Sequence, residues 1–230
     1  MRTAIITGGS RGFGRALAGA LVGDGWTVAA DGRDAAALGD VANALGDRLH
    51  AIVGDVTDAA HRAALVEATR RLGGLDLLVN NASTLGPSPL PRLSELPLDA
   101  VIDVTEVNVV APLALTQLAL PLLRASGGAV LNVTSDAAVE AYEGWGLYGA
   151  SKAALEQLSN VLAVEEPDVR VWWLDPGDMR TDMHQAAFPG EDISDRPLPE
   201  TVVPSVLRLL AARPPSGRLR AADALVEDPR

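Results

Sequence analysis

The sequence predicts an α/β fold: one domain, residues 1–230, built on a doubly wound parallel sheet of about seven strands with helices on both faces. Three observations carry this. Short apolar runs alternate with helical patterns along the whole chain. The first strand–helix junction holds a glycine-rich turn, T-G-G-S-R-G-F-G, from Thr7 to Gly14. Candidate ligand-binding residues (Gly8, Arg33, Asp55, Asn81 and Ser135) fall at the C-terminal ends of successive strands, where open α/β sheets of the Rossmann type bind ligands.

Residues 2–7 form a short apolar strand, and R-A-L-A-G-A-L-V after the glycine turn is amphipathic. Strand, glycine turn and helix together suit a pyrophosphate, which approaches the close-turning backbone and sits at the positive helix N-terminus. W-T-V-A-A-D-G-R-D is a second strand ending near Asp31. An acidic residue there binds a ribose 2′-hydroxyl, and an arginine accommodates a 2′-phosphate. Arg33 and, from the glycine turn, Arg11 are expected to face that corner together, which favours NADP(H) over NAD(H). Against this, Asp31 and Arg33 could simply pair with each other.

Residues 34–46 read as a helix, L-H-A-I-V as a third strand leading to Asp55-Val56, residues 58–72 as a helix, and L-D-L-L-V as a fourth strand ending in N-N-A-S. After a proline-rich loop, residues 98–124 read as one long helix with Pro112 inside it. Proline removes the hydrogen bond to the carbonyl four residues back, here that of Asn108, and leaves a seat for an ordered water. A-V-L-N-V-T-S is a buried fifth strand closed by Ser135. V-R-V-W-W-L is a sixth, and residues 182–200 read as an irregular acidic flap. A helix over about 200–212 and a strand near R-L-R-A-A-D complete the chain.

Between the fifth and sixth strands lies the stretch with most chemistry. Tyr148 and Lys152 are four apart and share one face of a helix. Lys152 is the only lysine among 19 basic residues. A compact ammonium can sit under a phenol and alter its pKa, which a bulky forked guanidinium does less well.

Composition narrows the classes further. A net charge of −11 argues against general binding to nucleic acid or anionic membranes. The absence of cysteine excludes disulfides, thiol catalysis and thiolate metal sites. The three histidines are too scattered to suggest a metal. With no signal peptide in R-T-A-I-I-T and no apolar run expected to span a bilayer, a cytoplasmic protein is expected.

Taken in order, T-G-G-S-R-G-F-G, Asp55-Val56, N-N-A-S, Asn108, Ser135, Y-G-A-S-K and P-G-D-M-R-T resemble the classical short-chain dehydrogenases/reductases over essentially the whole chain. The resemblance implies hydride transfer between a nicotinamide and a carbonyl carbon, with Tyr148 as general acid–base. It implies that Lys152 binds the nicotinamide ribose and, with the oxidised ring, lowers the Tyr148 pKa. Ser135 would hold the substrate oxygen and Asn108 seat a water leading to Lys152. Thr7, Gly8, Arg11, Gly12, Phe13 and Gly14 would surround the pyrophosphate and adenosine side, Asp55 and Val56 the adenine, and Asn81 and Ala82 the adjacent ribose. Pro176, Gly177 and Thr181 would face the carboxamide. Position alone makes Asp136, Ala137, Tyr142, Trp145, Asp178 and Met179 candidates for the substrate pocket.

Ser83 stands where the family usually has glycine, Phe13 where an aliphatic residue is common, and Trp172-Trp173 where smaller residues are usual. The common glycine-rich ending is lacking, so a homodimer through the helices at 98–124 and 148–165 is expected before a tetramer. The reading is an NADPH-dependent carbonyl reductase, or the reverse alcohol dehydrogenase. A non-catalytic dinucleotide sensor and an epimerase or dehydratase on the same scaffold remain as alternatives.

Overall fold

A computed structural model describes residues 2–225; Met1 and residues 226–230 of the expected 1–230 domain lie outside the described residues. Seven strands form one sheet: β1 (Thr3–Ile6), β2 (Thr27–Gly32), β3 (Leu49–Val53), β4 (Leu77–Asn80), β5 (Ala129–Val133), β6 (Arg170–Asp175) and β7 (Gly217–Arg220). Their order is β3-β2-β1-β4-β5-β6-β7, every neighbouring pair parallel. The winding reverses between β1 and β4, which opens a crevice at their C-terminal ends.

The strands are apolar on both faces because helices cover both. On β1, Ala4 and Ile6 pack with Leu17 and Leu21 of α1 (Gly12–Gly23) and Val206 of α8 (Val203–Ala212). Ile5 points the other way, to Leu65 of α3 (Ala59–Arg71) and Leu115 and Leu123 of α5 (Ala111–Ser126). Fully burying one such leucine stabilises the fold by about 1.5–3 kcal/mol. The same alternation settles the paired indoles of β6 as core: Trp172 is fully buried, its N–H donating to the Pro214 carbonyl at 3.2 Å, and Trp173 is also buried.

Helix starts follow the sequence. Asp34 caps α2 (Ala35–Leu45) by accepting from the Ala36 and Ala37 N–H groups, and Asp58 caps α3 through Ala60. Behind the crevice runs a buried amide ladder. Asn80 Nδ2 donates to Asn132 Oδ1 at 2.8 Å and to Thr116 Oγ1 at 3.2 Å. Asn132 Nδ2 donates in turn to Ser159 Oγ of α6 (Gly146–Glu165) at 2.7 Å.

Four expectations need correction. The single helix at 98–124 is two helices, α4 (Leu98–Thr105) and α5, joined by a π-turn over Glu106–Val110 in which the Ala111 N–H reaches the Glu106 carbonyl. Pro112 falls in the first turn of α5, where its missing N–H is least disruptive. Together, Leu98–Ser126 is long and apolar enough to cross a membrane by length and composition, against the expectation that nothing would be. Buried Val104, Asn108, Leu115 and Leu123 mark it as a core helix. The flap at 182–200 begins as a helix, α7 (Asp182–Ala187), capped by Thr181 Oγ1 accepting from the His184 N–H at 3.2 Å. The last strand stops at Arg220, and Ala221–Leu225 is a short helix, α9.

Candidate active site

The strand ends open onto one cleft of ≈1530 Å³. Gly8, Arg11, Gly12 and Phe13 form its floor beside Arg33, Asp55 and Val56 at one end. Asn81, Ala82 and Ser83 form the middle, and Ser135, Tyr148 and Lys152 the far wall. Pro176, Gly177 and Thr181 close that end. The sequence-derived residues are thus brought together, apart from Thr7, Gly14, Asn108, Ala137 and Tyr142, which do not line the cleft.

Thr7 shows how. Its buried Oγ1 accepts from the Asn81 and Ala82 N–H groups, both at 3.0 Å, while Asn81 Nδ2 donates back to the Thr7 carbonyl at 2.8 Å. These side chains stitch β1 to the end of β4 rather than project into the cleft. Gly14 supports the turn from beneath: a Cβ there would lie 2.3 Å from the Gly8 carbonyl oxygen. No side chain caps the first turn of α1. Its N–H groups therefore offer an anion seat at the positive end of a helix dipole. A cleft this long, with a close-packed glycine turn and an uncapped helix start, fits a dinucleotide.

The adenosine end differs from expectation. Asp31 neither faces the cleft freely nor pairs with Arg33. Its Oδ1 accepts from the Gly8 N–H at 2.6 Å, and its Oδ2 lies 3.0 Å from His61 Nε2. Arg33 instead approaches Asp55 at 3.7 Å. Burial opposes ionisation of Asp55, but the Thr57 N–H and O–H, Arg33 and His61 outweigh it and hold the carboxyl below its usual range. The two arginines rest on different carboxylates, Arg11 lying 3.4 Å from Asp182.

At the other end Asn108 is completely buried and saturated. Its Oδ1 accepts from Ser83 Oγ at 3.1 Å and the Thr84 N–H at 2.9 Å; its Nδ2 donates to the Thr84 carbonyl at 2.8 Å and Ser151 Oγ at 3.0 Å. An amide side chain holds no more than this, so a water at Asn108 is left with the main-chain carbonyl. The Lys152 ammonium donates to the Val133 carbonyl at 2.8 Å and lies 5.5 Å from the Tyr148 ring centroid. Burial pushes Lys152 down to about 8. Burial also pushes the Tyr148 phenol well above its ordinary value, with Asp136 and Asp175 adding to the rise and hydrogen bonds from Ser83 and Ser135 opposing it. That is the reverse of the lowering expected from Lys152.

On the substrate side, Ser135 Oγ donates to Asp136 Oδ1 at 2.9 Å. Trp145 lines the cleft and meets the Tyr148 ring edge-on, centroids 5.6 Å apart. It also packs against Phe188, a residue the sequence did not single out. Tyr142 is exposed and turned away, its hydroxyl within 3.0 Å of Asp136 and 2.8 Å of Glu140. Arg218 of β7 was missed too. It donates to Glu156 at 3.0 Å and to the Ser135 carbonyl at 3.2 Å, so the last strand holds the loop at Ser135. An arginine in a short terminal strand carries no local pattern that reveals such a partner.

Comparison with known proteins agrees with this architecture. The chain is 37% identical to mouse (Mus musculus) sepiapterin reductase over 199 residues, 80% of this chain and 76% of that protein. It is 36% identical to serine 3-dehydrogenase of Agrobacterium fabrum over 184 residues, 78% and 73% of the two chains. A short chain dehydrogenase of Shigella flexneri, crystallised with NADP, superposes with a TM-score of 0.89 at 31% identity, covering 96% of this chain and 97% of that one. Residues 2–192 match the short chain dehydrogenase family, and the chain belongs to it.

Proposed function

We propose that this oxidoreductase uses NADP(H) to reduce a ketone or aldehyde to an alcohol, or to run the reverse, as one domain of residues 1–230. The observation that carries the reading is the convergence of Ser135, Tyr148 and Lys152 on the cleft that the uncapped start of α1 also faces. The NADP(H) would supply or take up the hydride. Gly8, Gly12 and the α1 N-terminus would hold its pyrophosphate, and Arg33 its 2′-phosphate.

Each side chain then has a definite task. The Tyr148 phenol, held neutral by burial, donates its proton to the substrate oxygen in reduction and takes it back in oxidation. Ser135 positions that oxygen. Lys152, with a pKa about 8, exchanges protons near neutrality and leads toward the Asn108 carbonyl. Three things support the preference for NADP(H): Asp31 is turned inward, Arg33 is exposed with only a long contact to Asp55, and a structural relative holds NADP. The relatives named above act on different substrates by name, so the reading stops at the carbonyl–alcohol class. Exposed Leu98 and Ile102 on α4 and Val161 and Val164 on α6 suit a second copy of the chain, a homodimer.

Two measurements test this. NADPH should bind at least tenfold more tightly than NADH, a difference of about 1.4 kcal/mol; equal binding sinks the cofactor assignment. Tyr148→Phe should retain NADPH binding and lose about 10²–10⁴-fold in turnover. Full activity in that variant sinks the mechanism.

A further inference from the structure

Asp31 and His61 have no part in the proton chemistry, yet they form a deeply buried pair at the cleft, their side chains 2% and 6% exposed. Both carboxylate oxygens are committed to protein donors. Oδ1 takes the Gly8 N–H at 2.6 Å, and Oδ2 takes His61 Nε2 at 3.0 Å. The Gly9 N–H adds a bond to the Asp31 carbonyl at 2.8 Å. His61 reaches this position from the first turn of α3 because residue 54 is glycine. A Cβ there would lie 2.1 Å from His61 Nδ1.

Asp31 nonetheless belongs to the cleft wall, next to Gly32 and Arg33. A carboxylate at the end of this strand can serve either of two partners: the hydroxyls of the adenosine ribose, or the protein. We propose that His61 is a specificity-determining residue: by holding Asp31 Oδ2 inward, it withdraws the carboxylate from the ribose and leaves the 2′ position to Arg33. The proposal rests on the NADP(H) reading and names the residue behind it.

The physical consequence has a sign that general damage lacks. Without His61, a buried carboxylate keeps one donor of two and gains by turning toward water or toward ribose hydroxyls. Turned outward, it accepts from the 2′-hydroxyl of NADH but repels the 2′-phosphate of NADPH. A purely structural loss weakens both cofactors alike.

The experiment compares dissociation constants of NADPH and NADH for the purified full chain and its variants, by fluorescence titration. His61→Leu should lower the preference for NADPH at least fivefold while leaving NADH binding no weaker. His61→Gln, whose amide N–H can reach the same oxygen, should restore the preference to within twofold. A His61→Leu protein that folds and keeps the wild-type preference overturns the proposal, as does an equal weakening of both cofactors. Should His61→Leu fail to fold, His61→Asn, too short to reach Asp31, is read in the same way. Asp31→Asn gives a further check independent of His61. It should keep the ratio within twofold, and a selective fivefold loss of NADH binding shows Asp31 on the ribose and overturns the proposal. If the wild type itself fails to prefer NADPH, the cofactor reading falls first, before any variant is compared.

Discussion

The Ser83 hydroxyl donates to Asn108 Oδ1 at 3.1 Å and lies near enough to Tyr148 to turn its one proton to a phenolate instead. One side chain thus stands between the buried amide of the π-turn and the Tyr148 hydroxyl. Turned to Tyr148, that donor favours phenolate, against a burial effect that favours phenol. Replacing Ser83 with the glycine usual in the family removes that donor and should raise the Tyr148 pKa further. In alcohol oxidation Tyr148 must accept a proton, so the rising limb of kcat/KM against pH should move to higher pH in Ser83→Gly. An unmoved limb means that Ser83 does not touch the titrating group.

Lys152 carries a stability signature of its own. Its pKa falls from 10.5 to about 8 on folding because its ammonium is buried. Between those values the unfolded chain binds more protons than the folded one, so stability rises with pH across that window. The stability is fully present above 10.5 and lost as pH falls through about 8. Denaturant titrations of the wild type at pH 7.5 and pH 10 should show this rise, at most ~1.4 kcal/mol for each pH unit crossed inside the window. Lys152→Met should lack it, and identical pH dependence in the two proteins would refute the assignment.

Gly14→Ala places a methyl 2.3 Å from the Gly8 carbonyl and 2.5 Å from Asn81 Nδ2. Since neither neighbour is a free chain end, the turn must open. Both nicotinamide dinucleotides should lose at least tenfold in affinity together, with ~1–3 kcal/mol of stability lost to overpacking. Unchanged dissociation constants would show that the cofactor does not lie on this turn.

Arg218→Ala leaves Glu156, whose side chain is 12% exposed, with Thr134 Oγ1 at 2.7 Å as its remaining partner. Breaking a largely buried pair on one side costs about 3–5 kcal/mol in the limit. Partial exposure of the arginine should bring this to the lower end. Denaturation midpoints should fall accordingly. The KM for substrate should rise as the Ser135 backbone loses its tether, and Arg218→Lys should recover only part, since an ammonium cannot fork to both acceptors. A wild-type KM in Arg218→Ala would separate the network from the site.

Much of this was legible in the chain. Strand and helix order, the seven-stranded sheet and the grouping of the glycine turn with Asp55, Asn81, Ser135, Tyr148 and Lys152 follow from alternation and motif spacing. What could not be read was partner choice. Asp31 and Arg33 sit two residues apart and invite pairing, yet strand pleating turns Asp31 under the glycine turn toward His61, thirty positions away. Arg11 and Arg33 carry like charge and invite a shared anion, but they settle on different carboxylates, Asp182 and Asp55. The π-turn at Glu106–Val110 was read as a kink because Pro112 marks the place but not the form of the irregularity. In each case a long side chain or a backbone register decides among several local options, and only the tertiary fold ranks them.

The amide ladder behind the crevice has a consequence for how the chain finds its alignment. Asn80 and Asn132 are directly opposite one another in the β4–β5 pairing. Sliding β5 by a single residue would swing Asn132 to the other side of the sheet, among Leu77, Val79 and Trp172, and strand both amides in hydrocarbon. The pair therefore acts as a keyway, rejecting the misthreaded sheet that uniformly apolar strands would tolerate. The strand ends that carry Asn81 and Ser135 arrive level with each other for the same reason.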